Sequence, residues 1–237
     1  MAQPANPLPA STVVLVRADE RGGFEVFMNR RPEKMETYAG VYVFPGGCVE
    51  KDDCSQKMVA LTQGLAPAEA RAALESELDG EVCLGHWVAA VRELFEEAGI
   101  HFFVNAAAQC MDETKLFQHL ASKRQALQRG ELNLSSLLAA ERLACDLSRL
   151  KYFFHRTTPE HYKIRFDTRF YLAALPNNQT PLPTSEEVAE SLWVTPEKAL
   201  AESASGKFPM MPPTIAVLRT LARYPAWDNL CESYRLW

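Results

Sequence analysis

The segment that most constrains the fold is 86–100, HWVAAVRELFEEAGI, because it carries two different helical faces. Glu93, Glu96 and Glu97 are spaced i, i+3 and i+4, which places them on one side of a helix. The apolar residues fall on the opposite arc: Trp87, Val88, Val91, Leu94, Phe95 and Ala98. We predict a helix from about His86 to Ala98, capped by the following glycine, that packs on a second layer through its apolar face.

The acidic face of this helix has two interpretations. Like charges at these spacings repel, so helix stability alone does not favour them. A divalent cation would reverse that repulsion, since Mg²⁺ prefers carboxylate and water oxygens as ligands. The face is therefore either a solvated surface or a metal site suited to phosphoryl chemistry, and the flanking residues favour the metal site.

A second motif precedes the helix, in the segment VFPGGCVEKDD that ends at Asp53. It predicts a strand that runs into a Gly-Gly turn and then into acidic residues. Residues 54–91, 38 in all, separate this motif from Arg92. The entropy cost of closing a loop grows only logarithmically with its length, so the two motifs can still meet in one site.

Together the two motifs resemble the Nudix hydrolases, whose box reads G-x5-E-x7-R-E-U-x-E-E-x-G-U, where U is a bulky aliphatic residue. The second half of the box matches at Arg92, Glu93, Leu94, Glu96, Glu97, Gly99 and Ile100. In the first half Gly47 supplies the glycine, and Asp53 stands where the family has Glu. The long spacer is similar to that of the coenzyme A diphosphatase branch of the family.

The resemblance extends to GVYVFPGG, RFDTRFYLA and PPT, and so covers most of the chain. The coenzyme A signature of related enzymes, R-x3-G-x3-F-P-G-G, is matched at Gly40 and at residues 44–47, but Glu36 stands at the arginine position. This departure bears on the substrate more than on the chemistry.

The resemblance implies metal-dependent hydrolysis of the diphosphate of coenzyme A or an acyl-CoA, yielding 3',5'-ADP and 4'-phosphopantetheine or its acyl form. It implies that Glu93, Glu96 and Glu97 bind Mg²⁺ or Mn²⁺, with a backbone carbonyl near Gly47 as a further ligand. Arg92 would orient one of these glutamates through a charge-assisted hydrogen bond.

The base that takes the proton from water stays open in this resemblance, with Glu50, Asp53 and Glu97 as candidates. Two other functions also stay open. One is a Nudix pyrophosphatase acting on ADP-ribose, NADH or a dinucleoside polyphosphate. The other is a Nudix-fold binding module without catalysis, which the presence of all three helix acids disfavours.

Three arginines are candidates for binding the substrate. In KIRFDTRFY the two-residue strand period places Arg165, Asp167 and Arg169 on one face. Two guanidinium groups there suit a phosphate, and the alternative is an ion-pair network with Asp167. Arg31 carries a similar prediction. The apolar segment KFPMMPPT is either core or one wall of a groove for pantetheine or an acyl chain.

The remaining pattern predicts an α/β Nudix fold, with a mixed β-sheet sandwiched between helices. Strands are predicted at 12–19 and 24–31 as a hairpin, at 40–47, at 163–175 and at 191–194. Helices are predicted at 66–78, ending at Gly80, across 111–150 with a break near Gly130, after Thr195-Pro196, and over 212–224 as the last helix.

We expect a single domain, 1–237, with helical insertions at about 54–84 and 106–150. Two roles stay open for the insertions, a wall of the substrate pocket and a homodimer interface. The net charge of −5 argues against nucleic-acid binding. The lack of a long apolar run, of a signal peptide and of paired cysteine motifs predicts a cytoplasmic protein that does not bind membranes.

Overall fold

The computed structural model describes residues 5–35, 38–105, 113–185 and 188–236, and contains two β-sheets with helices packed around them. The strands are β1 (Leu8–Ala18), β2 (Phe24–Arg30), β3 (Tyr42–Val43), β4 (Gly46–Cys48), β5 (Thr62–Gln63), β6 (Phe103–Asn105), β7 (Leu143–Asp146), β8 (Lys151–Thr157), β9 (Phe166–Ala174) and β10 (Glu190–Val194). The helices are α1 (Gln56–Val59), α2 (Pro67–Ala73), α3 (Gly80–Ala98), α4 (Glu113–Gln128), α5 (Leu134–Glu141), α6 (Pro196–Ala204), α7 (Pro212–Leu221) and α8 (Trp227–Tyr234).

The main sheet is mixed and has β1 near its centre. Its strand order is β10-β2-β1-β9-β8, with β3 paired to β2 and β4 paired to β1. The second half of β1 pairs antiparallel with β2, which confirms the predicted hairpin, while β9 runs parallel to β1 along its length. The first half of β1 pairs with β4 instead of β2. The short β3 and β4 therefore fill the space where β1 and β2 separate.

Each face of the main sheet carries its own hydrophobic core. Val13 and Leu15 of β1 pack in the core that contains α3, together with residues of both insertions. Val14 and Val16, which alternate with them, pack in the core that contains α7 and α8. The sheet thus lies between α3 on one side and the C-terminal helices on the other, which confirms the predicted sandwich.

Several predicted boundaries are wrong, among them the start of α3, which lies at Gly80 instead of near His86, and the end of α2, which lies at Ala73 instead of Leu78. The strand expected over 40–47 is two short strands, because Pro45 lies between them and has no N–H to donate to a neighbouring strand. Gly80 begins α3 instead of ending the preceding helix. A Cβ at Gly80 would lie 3.0 Å from the backbone of Pro67, so the glycine allows α2 to approach α3 closely.

The stretch predicted as helical over 111–150 ends in a strand, since residues 143–146 form β7. β7 pairs with β5 and β6 in a separate three-stranded sheet, and these partners are distant in sequence, so local composition does not predict them. β8 and α8 also went unpredicted. Glu36 and residues 106–112 lie outside the described residues. Among the described helices, none is both long and apolar enough to cross a membrane.

Candidate active site

The two half-motifs meet at the side chain of Arg92, which is 4% exposed. Its Nε and Nη2 donate to the two carboxylate oxygens of Asp53, over 3.1 and 3.0 Å. Nη2 also donates to the backbone carbonyl of Cys48 over 2.8 Å. Asp53 and Cys48 belong to the first half-motif and Arg92 to the second, so one guanidinium joins them across the 38-residue spacer.

The remaining nitrogen of Arg92 faces the acids of its own helix. Nη1 donates to Glu93 over 2.8 Å and to Glu96 over 3.5 Å. A carboxylate oxygen of Glu50 lies 3.7 Å from the same nitrogen. The structure therefore gathers Arg92 with four of the predicted site acids, Asp53 included.

Burial and the neighbouring charges set the protonation of this group. Burial lowers the pKa of Arg92, but Asp53 and Glu93 outweigh it, so the pKa is raised and the guanidinium stays charged. Burial raises the pKa of Glu96 to about 7, and the charge of Glu93 adds to the rise while Arg92 opposes it. Burial also raises the pKa of Asp53, against two hydrogen bonds from Arg92 and one from the Glu50 amide. The acids are crowded enough that a cation would be stabilising here.

The glycines of β4 allow this crowding. A Cβ at Gly47 would lie 2.3 Å from a carboxylate oxygen of Glu93, which is closer than atoms can approach. A Cβ at Gly46 would lie 2.5 Å from the backbone oxygen of Ser11. Gly47 therefore brings the Glu93 carboxylate against the backbone of the turn.

Asn29 is a site residue that the sequence reasoning missed. Its amide donates to Glu97 over 3.0 Å, and its oxygen accepts a hydrogen bond from Ser191 over 3.0 Å. A signal was available, because Asn29 is a polar residue on the same strand face as buried Phe27. Asn29 fixes the third acid of the helix face.

The donor types at this site fit Mg²⁺ or Mn²⁺, which both take carboxylate oxygens. Within the described ranges, no three His, Cys, Asp or Glu side chains converge as a ready metal-binding group. Hydrogen bonds turn Glu93 and Glu96 toward Arg92, and Glu97 toward Asn29. Binding a metal would therefore require these carboxylates to turn toward a common ion.

Two cavities adjoin the two half-motifs. The first, of about 240 Å³, is lined on one side by Glu50, Arg92 and Glu96. Its other side comes from the second insertion, with Leu127 and residues 130–133. We call it the carboxylate cavity.

The second cavity, which we call the apolar cavity, has about 270 Å³ and includes Gly46 in its lining. Its walls are mostly apolar and aromatic: Val43, Phe44, Tyr162, Phe166, Phe170, Met211, Pro212 and Pro213. Arg31 and Arg156 supply its cationic groups. The Nε of Arg31 is buried and has no hydrogen-bond acceptor among the described residues. Of the segment KFPMMPPT, residues 211–214 line this cavity.

The structure places the other two predicted arginines outside both cavities. Arg169 is buried and forms an ion pair with Asp167, which also contacts His155 over 2.5 Å. Arg165 donates to the carbonyls of Ala5 and Thr158, over 2.7 and 3.0 Å. Both guanidinium groups are engaged within the protein.

The family profile described as NUDT19 Nudix domain matches residues 8–221. Two relatives, from Xenopus laevis and Gallus gallus, are each named "Acyl-coenzyme A diphosphatase NUDT19", and are 25% and 27% identical to the chain over 87% of its length. The chain spans 62% and 63% of the length of these relatives.

A solved structure is similar over the whole fold. The crystal structure of a NUDIX hydrolase from Alicyclobacillus acidocaldarius superposes with a TM-score of 0.78 and 28% sequence identity. The match covers 96% of each chain. The likeness thus includes the insertions as well as the central sheet.

Proposed function

The chain belongs to the NUDT19 Nudix domain family, within the Nudix hydrolases, and from this premise we propose that it hydrolyses the diphosphate bond of coenzyme A or an acyl-CoA. The products would be 3',5'-ADP and 4'-phosphopantetheine or its acyl form. The relatives named acyl-coenzyme A diphosphatase support this choice of substrate.

The observation that carries the proposal is the position of Arg92. Its hydrogen bonds join Asp53 and Cys48 to Glu93 and Glu96, so the two halves of the split box lie together despite the long spacer, which supports a single site. One guanidinium faces four carboxylates here, and like charges this close repel, so the crowding supports a site that takes a further cation.

In the proposed mechanism Glu93, Glu96 and Glu97 would hold one or more Mg²⁺ or Mn²⁺ ions, with the backbone near Gly47 as a further ligand. A divalent cation neutralises the negative charge that accumulates on phosphoryl oxygens during in-line attack. Asn29 orients Glu97, and Arg92 orients Glu93 and Glu96.

Exposure separates the three candidates for the general base. The Asp53 side chain is fully buried and bonded to Arg92, so we assign it a positioning role. The Glu50 side chain is 58% exposed and lines the carboxylate cavity, where water has access. We therefore propose Glu50 as the base ahead of Glu97, which lies 6% exposed against Asn29.

The apolar cavity is our proposed site for the nucleotide end of the substrate. Its aromatic walls suit a base, and Arg31 and Arg156 suit the 3'-phosphate that distinguishes coenzyme A from other diphosphates. The Nε of Arg31 supports this role, because it is buried with no acceptor among the described residues, and a buried donor without an acceptor costs free energy until a ligand satisfies it. Arg165 and Arg169, which are engaged elsewhere, stay predictions for phosphate binding.

The first test is mass spectrometry of the products after incubation with coenzyme A, acetyl-CoA, ADP-ribose and NADH, separately, with Mg²⁺ or Mn²⁺. We expect 3',5'-ADP from the first two and none after addition of a chelator. Cleavage of ADP-ribose or NADH alone would support metal-dependent diphosphate hydrolysis but contradict coenzyme A as the substrate. No cleavage of any of the four would contradict the proposed function.

Two variants test the residues. Glu96→Gln should lower kcat by roughly 100-fold or more, because it removes a proposed metal ligand, while Glu197→Gln, at an exposed position of α6, should leave kcat unchanged. Arg31→Met should raise KM for coenzyme A by roughly 10-fold but leave KM for dephospho-coenzyme A unchanged. An equal rise in KM for both substrates would show that Arg31 does not bind the 3'-phosphate.

A further inference from the structure

The second insertion contacts the catalytic helix at a backbone carbonyl. Arg124 of α4 donates to the carbonyl of Glu96 over 2.5 Å, and Gln128, one turn later, donates to the same oxygen over 2.8 Å. The last carbonyls of a helix have no partner within it, and cations near that end are favourable. Two side chains from the insertion therefore fix the turn of α3 that carries Glu96 and Glu97.

The same insertion also contacts the first half-motif. At the start of α5, the backbone N–H and the hydroxyl of Ser135 donate to the two carboxylate oxygens of Asp52, over 3.0 and 2.8 Å. Asp52 precedes Asp53, whose carboxylate binds Arg92. The second insertion thus contacts both half-motifs, at the carbonyl of Glu96 in one and at Asp52, the neighbour of Asp53, in the other.

A third observation is that the insertion forms a wall of the carboxylate cavity. Leu127 and residues 130–133 face Glu50, Arg92 and Glu96 across it. Leu127 and Leu120 of α4 are buried in the core that also contains α3. The wall is therefore anchored on the apolar side by packing and on the polar side by the hydrogen bonds to Glu96.

We propose that α4 and α5 are a positioning element of the catalytic site, in which Arg124 and Gln128 set the orientation of the last turn of α3. The proposal rests on the proposed function, since it concerns the same three glutamates. It assigns a role inside the site to an insertion whose role the sequence left open. The alternative is that α4 only buries apolar surface, in which case its polar contacts to α3 have no effect on turnover.

Substitution of Arg124 by Met separates these two roles, because Met keeps most of the stem and removes the hydrogen bonds. Lys123→Met is the matched control, since Lys123 is the adjacent cation and pairs with Glu141 inside the insertion. We expect Arg124→Met/Gln128→Met to lower kcat by roughly 10- to 100-fold with little change in KM, the range for residues that orient metal ligands. Arg124→Lys should recover part of the rate, and Lys123→Met should match the unaltered protein.

Two readouts do not depend on turnover. Binding of Mn²⁺, followed by electron paramagnetic resonance without substrate, should weaken by roughly 10-fold in Arg124→Met/Gln128→Met. Hydrogen exchange of the amides in the last turn of α3 should be faster in that variant and unchanged in Lys123→Met. Unchanged kcat, or equal Mn²⁺ binding and equal exchange in all variants, would overturn the positioning role. Failure of the unaltered protein to bind Mn²⁺ would instead contradict the proposed function.

Discussion

Arg92 shows how much a single residue contributes at this site. Its side chain is 4% exposed and that of Asp53 is fully buried, so neither charge is solvated. Removing Asp53 would take acceptors from a buried guanidinium that still has Glu93 and Glu96 as counter-charges, and loss of a buried acceptor costs more than loss of an exposed ion pair. The stability of the protein and the geometry of the site therefore depend on the same ion pair.

Asp53→Asn should lower the free energy of unfolding by about 1 to 3 kcal/mol, because the buried guanidinium of Arg92 loses carboxylate acceptors while Glu93 and Glu96 remain as counter-charges. Urea unfolding at neutral pH measures the change. Glu50→Gln is the control, since Glu50 is 58% exposed and lies 3.7 Å from Arg92, and it should cost about 1 kcal/mol or less. Equal losses for the two variants would show that Asp53 has no special structural role.

Two histidines make stability depend on pH. Burial lowers the pKa of His86 and of His101 from 6.5 to about 4, and the charge of Arg169 adds to the effect at His86. Between these pH values the unfolded chain binds protons that the folded protein does not. The contribution of the two histidines to stability is therefore full above about pH 6.5 and falls as the pH drops toward about 4. Glu96, whose pKa is raised from 4.5 to about 7, contributes with the opposite sign between those two pH values.

Between neutral pH and pH 4, the free energy of unfolding should fall less in His101→Phe than in the unaltered protein, by up to roughly 3 kcal/mol. The ring of His101 is 2% exposed and stacks on Phe103, so Phe preserves the packing. Urea unfolding at neutral pH and near pH 4 measures the difference. His161→Phe, at an exposed position, should leave the pH dependence unchanged. A slope in His101→Phe equal to that of the unaltered protein would mean that His101 does not contribute.

At the scale of elements, the first insertion is fitted to α3 through a glycine. A Cβ at Gly85 would lie 2.3 Å from the sulfur of Cys54, the residue that follows the first half-motif. Because Gly85 lies on the helix that carries the glutamates, this contact sets how closely the first half-motif approaches them.

Gly85→Ala should destabilise the protein by about 1 to 3 kcal/mol through overpacking. Adding Cys54→Ala should recover much of that loss, because it removes the sulfur that the new methyl group meets. Unfolding free energies of the two single variants and the double variant form the cycle. Additive effects would indicate that the two residues are not in contact.

The sequence predicted those parts of the site that depend on local spacing. Glu93, Glu96 and Glu97 share a face because helix geometry requires it, and Gly99 caps α3 in the left-handed region at φ 71°. Arg124 and Gln128 went unpredicted, because nothing local distinguishes them from other polar residues of α4. β7 went unpredicted for the same reason, since its strand partners lie far away in the chain.

At the scale of the whole molecule, one core joins the sheet to both insertions. It contains Val13 of β1, Met58 of α1, Val91 of α3 and Leu137 of α5. Separate folding units would each need a core of their own. We therefore propose that the chain is a single domain.

This proposal predicts one cooperative unfolding transition. Urea curves followed by tryptophan fluorescence and by far-ultraviolet circular dichroism should coincide, because the insertions cannot lose their core without exposing that of α3. Trp87 of α3 reports directly on the shared core. Two separated transitions, with the helical signal lost first, would show that an insertion unfolds independently.

The parallel pairing of β1 with β9 has a consequence for biosynthesis. β1 leaves the ribosome long before its neighbour β9, which begins only at Phe166. Until then the nascent chain carries an apolar strand, with the run VVLV at 13–16, whose one edge has no permanent partner. Slow translation before codon 166 would prolong this aggregation-prone interval, so expression yield should respond to chaperones that bind nascent chains.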